Sequence, residues 1–238
     1  MDLKITNLKR YFPGTSDSDG FTLLIEHLEV RGDQLTVVMG HNGSGKSVLM
    51  RLLAGQERPD AGSVTPKASA IKRVLMHQRA DESLASDLTV TDNVVIRMRN
   101  GAALANFRPR SYCEQRVQRI LSRHPELARK ASQRAGNLSG GQRQILAFLA
   151  LTQHPCDLLL LDEFITSVDA GAAIVLVDLL TRFRMENKCA TVVVTHDIAW
   201  ALKMADRIIV LRSGQVAADF LPADEMVTAE ALAKAVSL

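Results

Sequence analysis

The chain is poor in cysteine, aromatic residues and long apolar runs, and each shortage removes a class of protein. Its 238 residues hold three cysteines, Cys113, Cys156 and Cys189. They are odd in number, far apart and in no metal-ligand spacing, which leaves reduced buried thiols rather than a disulfide scaffold or a zinc module. Aromatics make up 4% of the chain, so an aliphatic core is expected. No apolar run approaches the roughly 20 residues that a membrane-spanning helix needs. The first ten residues carry no apolar signal core, so a cytoplasmic chain is expected. Neither sign of charge dominates, and a formal net charge of +3 does not call for a nucleic acid partner. With 47% hydrophobic and 23% charged residues, the composition is that of an ordinary globular protein.

The most specific stretch is Gly40-His-Asn-Gly-Ser-Gly-Lys-Ser47. It fits the G-x-x-x-x-G-K-[ST] phosphate-binding loop, and its flanks agree. Gln34 to Met39 reads as a short buried strand, and Ser47 to Ala54 as a helix closed by Gly55. Strand, glycine loop and helix together turn a motif match into a mechanism. Glycines let backbone N–H groups wrap phosphates at the positive end of a helix dipole. Gly40, Asn42, Gly43, Ser44, Gly45 and Val48 are the expected cradle. Lys46 is expected to reach the β- and γ-phosphates, and the Ser47 hydroxyl to ligate Mg²⁺. The loop predicts binding of a nucleoside triphosphate.

A second chemical signal follows four leucines. Asp157-Leu-Leu-Leu-Leu-Asp-Glu163 reads as a buried parallel strand with two acids at its carboxyl end, where ligands sit in open α/β sheets. Asp162 is placed to hold Mg²⁺ through water, and Glu163 to polarise an attacking water. Ala190 to Thr195 reads as another buried strand, ending at His196. That histidine either faces phosphate or serves as a cap. Tyr11, at the end of an N-terminal strand, either stacks on a purine or is a surface aromatic. Gln78, at the end of the strand Ile71 to Met76, is compatible with Mg²⁺ or water and proves nothing alone.

Residues 2–9 and 21–30 predict an N-terminal antiparallel hairpin across a loop at 13–20. Residues 80–135 change character, becoming polar, basic and helical in pattern, and predict an insertion in an α/β core. Thr89 or Thr91 is a candidate N-cap, and Ser111-x-x-Glu114 fits a capping box. From Arg97 to Arg134 ten basic residues face Glu114 and Glu126, which is either a solvated face or a contact with an anionic surface. Ser139, Gly140, Gly141 and Gln142 open a strong helix at 144–151. Such an end is either a plain Ser-capped helix, the reading of the segment in isolation, or an anion site, and because the first loop already serves one nucleotide, the second reading points to a second copy arranged head to tail. Helices at 170–186 and 197–205, a strand at 207–212, a tight turn at 213–215 and a final helix capped by Thr228 complete the reading.

This order of pieces resembles the nucleotide-binding subunit of ATP-binding-cassette (ABC) transporters over essentially the whole chain. Leu138-Ser-Gly-Gly-Gln142 matches that family's signature motif. The resemblance implies a phosphate-loop (RecA-like) ATPase core with an N-terminal antiparallel β subdomain and an inserted α-helical subdomain. It implies one domain over 1–238, with the core at 1–79 and 136–220, the helical subdomain at 80–135 and a C-terminal helix at 221–238. By the same resemblance Tyr11 stacks on adenine, Gly40 to Ser47 is the Walker A loop, and Gln78 is the Q-loop glutamine. Asp162 is the Walker B aspartate, Glu163 the catalytic glutamate, Asp169 the D-loop aspartate and His196 the switch histidine.

The resemblance further implies two Mg-ATP between two subunits, with Ser139 to Gln142 of each closing on the other's γ-phosphate. It implies integral membrane subunits docking on 80–135, a peripheral place at the cytoplasmic face of the cell membrane, and no nucleic acid partner. The pattern Phe12 to Thr15 and the 137–170 region are similar to ATPases of bacterial importers that work with periplasmic binding proteins, including amino-acid systems. The alternative within the family is a soluble cassette acting on nucleic acid or ribosomes. Two departures stand out. Val48 replaces the usual hydroxyl after Ser47, which predicts weaker phosphate binding. Phe164 and Ile165 replace the usual Pro-Thr after Glu163, which predicts an altered loop at the dimer interface.

Overall fold

A computed structural model describes residues 2–14, 20–100, 109–166, 168–223 and 227–237. Two compact units emerge: residues 1–75, 156–164 and 187–238 in the first, and residues 76–155 and 165–186 in the second.

The first unit carries two sheets. A three-stranded antiparallel sheet is ordered β2-β1-β4, from β1 (Leu3–Phe12), β2 (Phe21–Val30) and β4 (Ala61–Thr65). The hairpin predicted near the N-terminus is therefore present, with its first strand reaching Phe12. Leu3, Ile5 and Leu8 point inward. The alternation slips by one residue after Ile5 because Asn7 takes a positive φ of 47° and the pairing with β4 shifts register between Thr6 and Lys9, as a bulge does.

The second sheet is six-stranded, in the order β5-β6-β7-β3-β8-β9. It contains β3 (Leu35–Met39), β5 (Arg73–Met76), β6 (Leu158–Asp162), β7 (Ala190–Val194), β8 (Arg207–Arg212) and β9 (Gln215–Phe220). β6, β7, β3 and β8 run parallel, and β9 closes the edge antiparallel. All residues of β3 and β7, and the four leucines of β6, are buried, which is why these strands read as continuous apolar runs. β7 lies between β6 and β3, so the chain leaves three neighbouring strand ends at Gly40, Glu163 and Thr195. That placement puts the phosphate loop, the two acids and His196 on one edge.

β9 was not foreseen beyond its turn. Its alternation of exposed and half-buried residues is that of an edge strand, and Gln215 and Asp219 dilute the apolar signal. The helices of this unit are α1 (Lys46–Ala54), α7 (Ile198–Met204) and α8 (Ala229–Ser237). Leu49, Met50, Leu52 and Leu53 of α1 share one core cluster with β1, β2, β6, β7 and β8.

The second unit contains α2 (Val90–Asn100), α3 (Arg110–Leu121), α4 (Pro125–Arg129), α5 (Gly140–Leu151) and most of α6 (Ala170–Asn187). Thr89 caps α2 by accepting from the Asp92 N–H at 3.0 Å. The capping box expected at Ser111 does not form. α3 begins at Arg110 behind Pro109 with no side-chain cap, so Ser111 already lies inside the helix. Glu114 instead pairs with Arg110 one turn back, at 2.6 Å. Arg110 also meets Asp92 at 2.8 Å, and Arg97 donates to the Ser83 carbonyl. Part of the basic segment is therefore satisfied within the fold.

Candidate active site

The phosphate loop leaves β3 and enters α1. Gly40, Gly43 and Gly45 all hold positive φ, which glycine adopts at no steric cost. Gly45 is the N-cap of α1 and offers no side-chain cap, so no side chain occupies the first-turn N–H groups. The Ser44 hydroxyl is buried without a hydrogen-bond partner. Lys46 is buried, and its ammonium donates to the Gly40 and His41 carbonyls at 2.7 and 2.8 Å. Burial pushes its pKa below the usual 10.5, while the charges of Glu163 and Asp162 pull it up. An uncapped helix start, an orphan hydroxyl and a buried cation resting on loop carbonyls all lack a strong acceptor, and a phosphate supplies one.

The acids and the histidine arrive on adjacent strands. Asp162 pairs with Val194 across β6 and β7. Glu163 donates its N–H to the Val194 carbonyl at 3.0 Å and sits at φ 49°, a backbone region that non-glycine residues occupy where their surroundings enforce it. Its carboxylate lies 2.9 Å from His196 Nε2. A cavity of about 430 Å³ is lined by Gly40, His41, Asn42, His196 and Val236. The phosphate loop and His196 thus face one space.

Ser47 is exposed at the helix start, and Asp162 is half-buried. A serine hydroxyl and a carboxylate are hard oxygen donors of the kind that Mg²⁺ takes. Among the described residues no group of three or more His, Cys, Asp or Glu is gathered as a metal cage.

Tyr11 stands 49% exposed at the end of β1. Its N–H donates to Asp60 at 2.7 Å, and Asp60 also accepts from Arg10 at 2.7 Å. Arg10 reaches Glu57 as well, and these two acids raise its pKa. The Tyr11 ring leans over Gly20, where a Cβ would come within 2.8 Å of it. Val48 is half-buried against the core cluster, so its side chain seats α1 and only its backbone faces the loop. Phe164 lies in the turn after β6, as its reading as a loop residue expects, and there it is fully buried and packs on Trp200.

The other predicted residues belong to the second unit. Gln78 is exposed two residues beyond β5. Ser139 caps α5 in a full capping box with Gln142. The Gln142 side chain also accepts from Lys130 at 2.8 Å and donates to Glu126 at 3.0 Å. Gly140 faces open space, whereas a Cβ at Gly141 would stand 2.7 Å from Ala172 Cβ and 3.1 Å from Asp169 Oδ2. Glycine at 141 is what lets α5 and the start of α6 meet. Asp169 caps α6 by accepting from the Ala172 N–H at 2.9 Å. Ser139, Gln142 and Asp169 line a cavity of about 390 Å³ with His124 and Glu126.

The model of the ABC transporter family matches residues 26–166. The chain belongs to the ABC transporter family. An aliphatic sulfonates import ATP-binding protein of Mesorhizobium japonicum is 36% identical over 214 residues, covering 87% of this chain and 77% of its own length. A sulfate/thiosulfate import ATP-binding protein of Mycobacterium tuberculosis is 34% identical, covering 83% of this chain and 57% of its own length. Among solved structures, the ATP-binding cassette MJ0796, a dimer with ADP and Pi, superposes with a TM-score of 0.77 at 21% identity, over 93% of this chain and 99% of that one. CbiO1 of Clostridium perfringens reaches 0.76 at 22% identity, over 98% and 93%.

As an ABC cassette the chain binds and hydrolyses ATP on a phosphate-loop α/β core, and the resemblance carried by Leu138 to Gln142 holds. Both relatives are import ATP-binding proteins, the group to which Phe12 to Thr15 and the 137–170 region are similar. Among the described residues no helix is long and apolar enough to cross a membrane. Four residues near the ABC site escaped sequence reasoning: Asp60, Trp200, Gly214 and Val236. Asp60 lies in a turn motif and Gly214 in a recognised tight turn, so each offered a local signal. Trp200 and Val236 reach the site only through the packing of α7 and α8.

Proposed function

We propose that this chain is the ATP-hydrolysing subunit of a binding-protein-dependent importer, working as a head-to-tail pair. The observation that carries the reading is the convergence of Lys46, Glu163 and His196 on one sheet edge beside an uncapped, glycine-rich helix start. In it, Tyr11 stacks on adenine, and Gly40 to Val48 wrap the phosphates with Lys46 neutralising them. Ser47, Gln78 and Asp162 would hold Mg²⁺, whose charge offsets that of the phosphates. Glu163 accepts hydrogen bonding from a water and orients it for in-line attack on the γ-phosphorus. His196 keeps Glu163 in place and then donates to a γ-phosphate oxygen.

Ser139, Gly140, Gly141 and Gln142 of one copy, with Asp169 beside them, complete the site of the other. Import is favoured by the names shared by the relatives. The helical face at 80–135 would receive integral membrane subunits at the cytoplasmic face of the membrane, with a periplasmic substrate-binding protein beyond. The test is Glu163→Gln with ATP, followed by sedimentation and by turnover. Turnover should fall at least a hundredfold, and an ATP-dependent dimer should accumulate. A monomer that hydrolyses ATP at the normal rate would overturn the assignment.

A further inference from the structure

We propose that Phe164 and Trp200 form a positioning couple that holds the Glu163–His196 pair in the geometry needed for turnover. The inference rests on Glu163 being the group that orients water. Neither residue touches substrate in this account, and both act through their neighbours.

Three ties bind the end of β6 to the end of β7 and the segment after it. The Glu163 N–H donates to the Val194 carbonyl at 3.0 Å. The Glu163 carboxylate meets His196 at 2.9 Å. Phe164, the next residue, has no exposed surface and presents its ring to Trp200 at 6.0 Å between centroids and 73° between planes, an edge-to-face contact. Trp200 in turn donates its backbone N–H to Asp197 at 2.9 Å, and the Asp197 N–H donates to Thr195 Oγ1 at 3.1 Å. His196 is thereby bracketed by residues that the Trp200 turn of α7 holds.

Glu163 at φ 49° would relax unless its surroundings over-determine it. Its backbone tie to Val194 fixes the N–H alone. The buried neighbour Phe164 fixes the direction in which the chain leaves, and Trp200 forms the wall against which it rests. The indole is not kept for a hydrogen bond, because its Nε1–H is buried without an acceptor. Ring shape is what the site uses, so phenylalanine at position 200 should serve.

ATP turnover by the purified chain is measured for the wild type, Trp200→Ala, Trp200→Leu, Trp200→Phe and Glu163→Gln. Thermal melting and the stoichiometry of ATP binding give the folded fraction of each. Trp200→Ala and Trp200→Leu should lower kcat per folded site at least tenfold with KM changed less than twofold. Trp200→Phe should restore kcat to within twofold of the wild type. A role in stability alone would lower melting temperature and folded fraction while kcat per folded site stayed normal, and that result overturns the proposal. So does equal impairment of the Phe and Leu variants. If Trp200→Leu matches the wild type while Glu163→Gln is inactive, the couple falls and the role of Glu163 stands. If Glu163→Gln is itself active, that role falls first.

Discussion

Replacing Gly214 with alanine should damage the phosphate loop from outside it. Ser213 and Gly214 turn β8 into β9 with φ of 45° and 81°, both left-handed, as in a tight hairpin of the mirror-image type. Gly214 touches two other segments through its backbone. Its N–H donates to the Ser44 carbonyl at 3.1 Å, and its carbonyl accepts from the Leu24 N–H at 2.7 Å. The turn therefore braces the loop that holds Lys46 against β2. A Cβ at this position would stand 1.9 Å from the Thr22 carbonyl oxygen, a backbone atom that cannot rotate away.

The magnitude follows from three contributions. Alanine in left-handed backbone costs about 1–2 kcal/mol. Moving the turn away from Thr22 breaks both backbone hydrogen bonds, at about 1 kcal/mol each. Reduced freedom of the unfolded chain returns about 0.4–1 kcal/mol. The net loss is about 2–4 kcal/mol, or a melting temperature lower by about 4–16 °C for a chain of this size. Because Ser44 loses its brace, ATP affinity should also fall about tenfold, which corresponds to about 1.4 kcal/mol. Thermal unfolding and equilibrium ATP binding measure the two effects. Ser213→Asn is the control, because asparagine tolerates left-handed backbone and leaves Gly214 alone; it should change stability by less than about 0.5 kcal/mol. A Gly214→Ala variant that melts and binds ATP like the wild type would refute the brace.

Asp60→Ala should free the Tyr11 N–H and leave Arg10 held by Glu57 alone, so KM for ATP should rise about fivefold with kcat unchanged, as loss of one aromatic contact of about 1 kcal/mol implies. Tyr11→Phe should leave KM unaltered and Tyr11→Ala should match Asp60→Ala; steady-state kinetics with ATP decides. His124 has its pKa lowered from 6.5, first by burial, with Asp178 opposing and Arg123 and Arg182 adding to the shift. The unfolded chain therefore binds this proton more readily, so stability from this group is present above pH 6.5 and is lost as pH falls toward the depressed value. His124→Gln should flatten that acid slope in denaturant unfolding, and an unchanged slope would remove His124 as its source.

The parts of the site legible in sequence are those whose chemistry and backbone come as one contiguous run. Gly40 to Ser47 names its own geometry, because glycine spacing, lysine and the flanking strand and helix all lie within a few residues. Leu158 to Glu163 does the same, since four consecutive leucines bounded by acids fit a short strand buried on both faces, and β6 is one. Local logic failed where a helix began one residue earlier than its signal. Arg110 pre-empted Glu114, while Ser139 caps α5 as the local sequence suggests and adds the Gln142 side chain as its capping-box partner.

The residues that hold Glu163 and His196 in place have no such signature. Nothing about glutamate announces that Glu163 takes a left-handed backbone, and composition would favour glycine or asparagine there. That conformation is set by partners about thirty positions away, through the Val194 carbonyl and the His196 ring. Phe164 looked like a departure in a loop for the same reason. Its significance depends on an indole 36 positions further on, which only the packing of α7 brings into contact. A motif records which atoms react, while the fold decides which distant side chains keep them there.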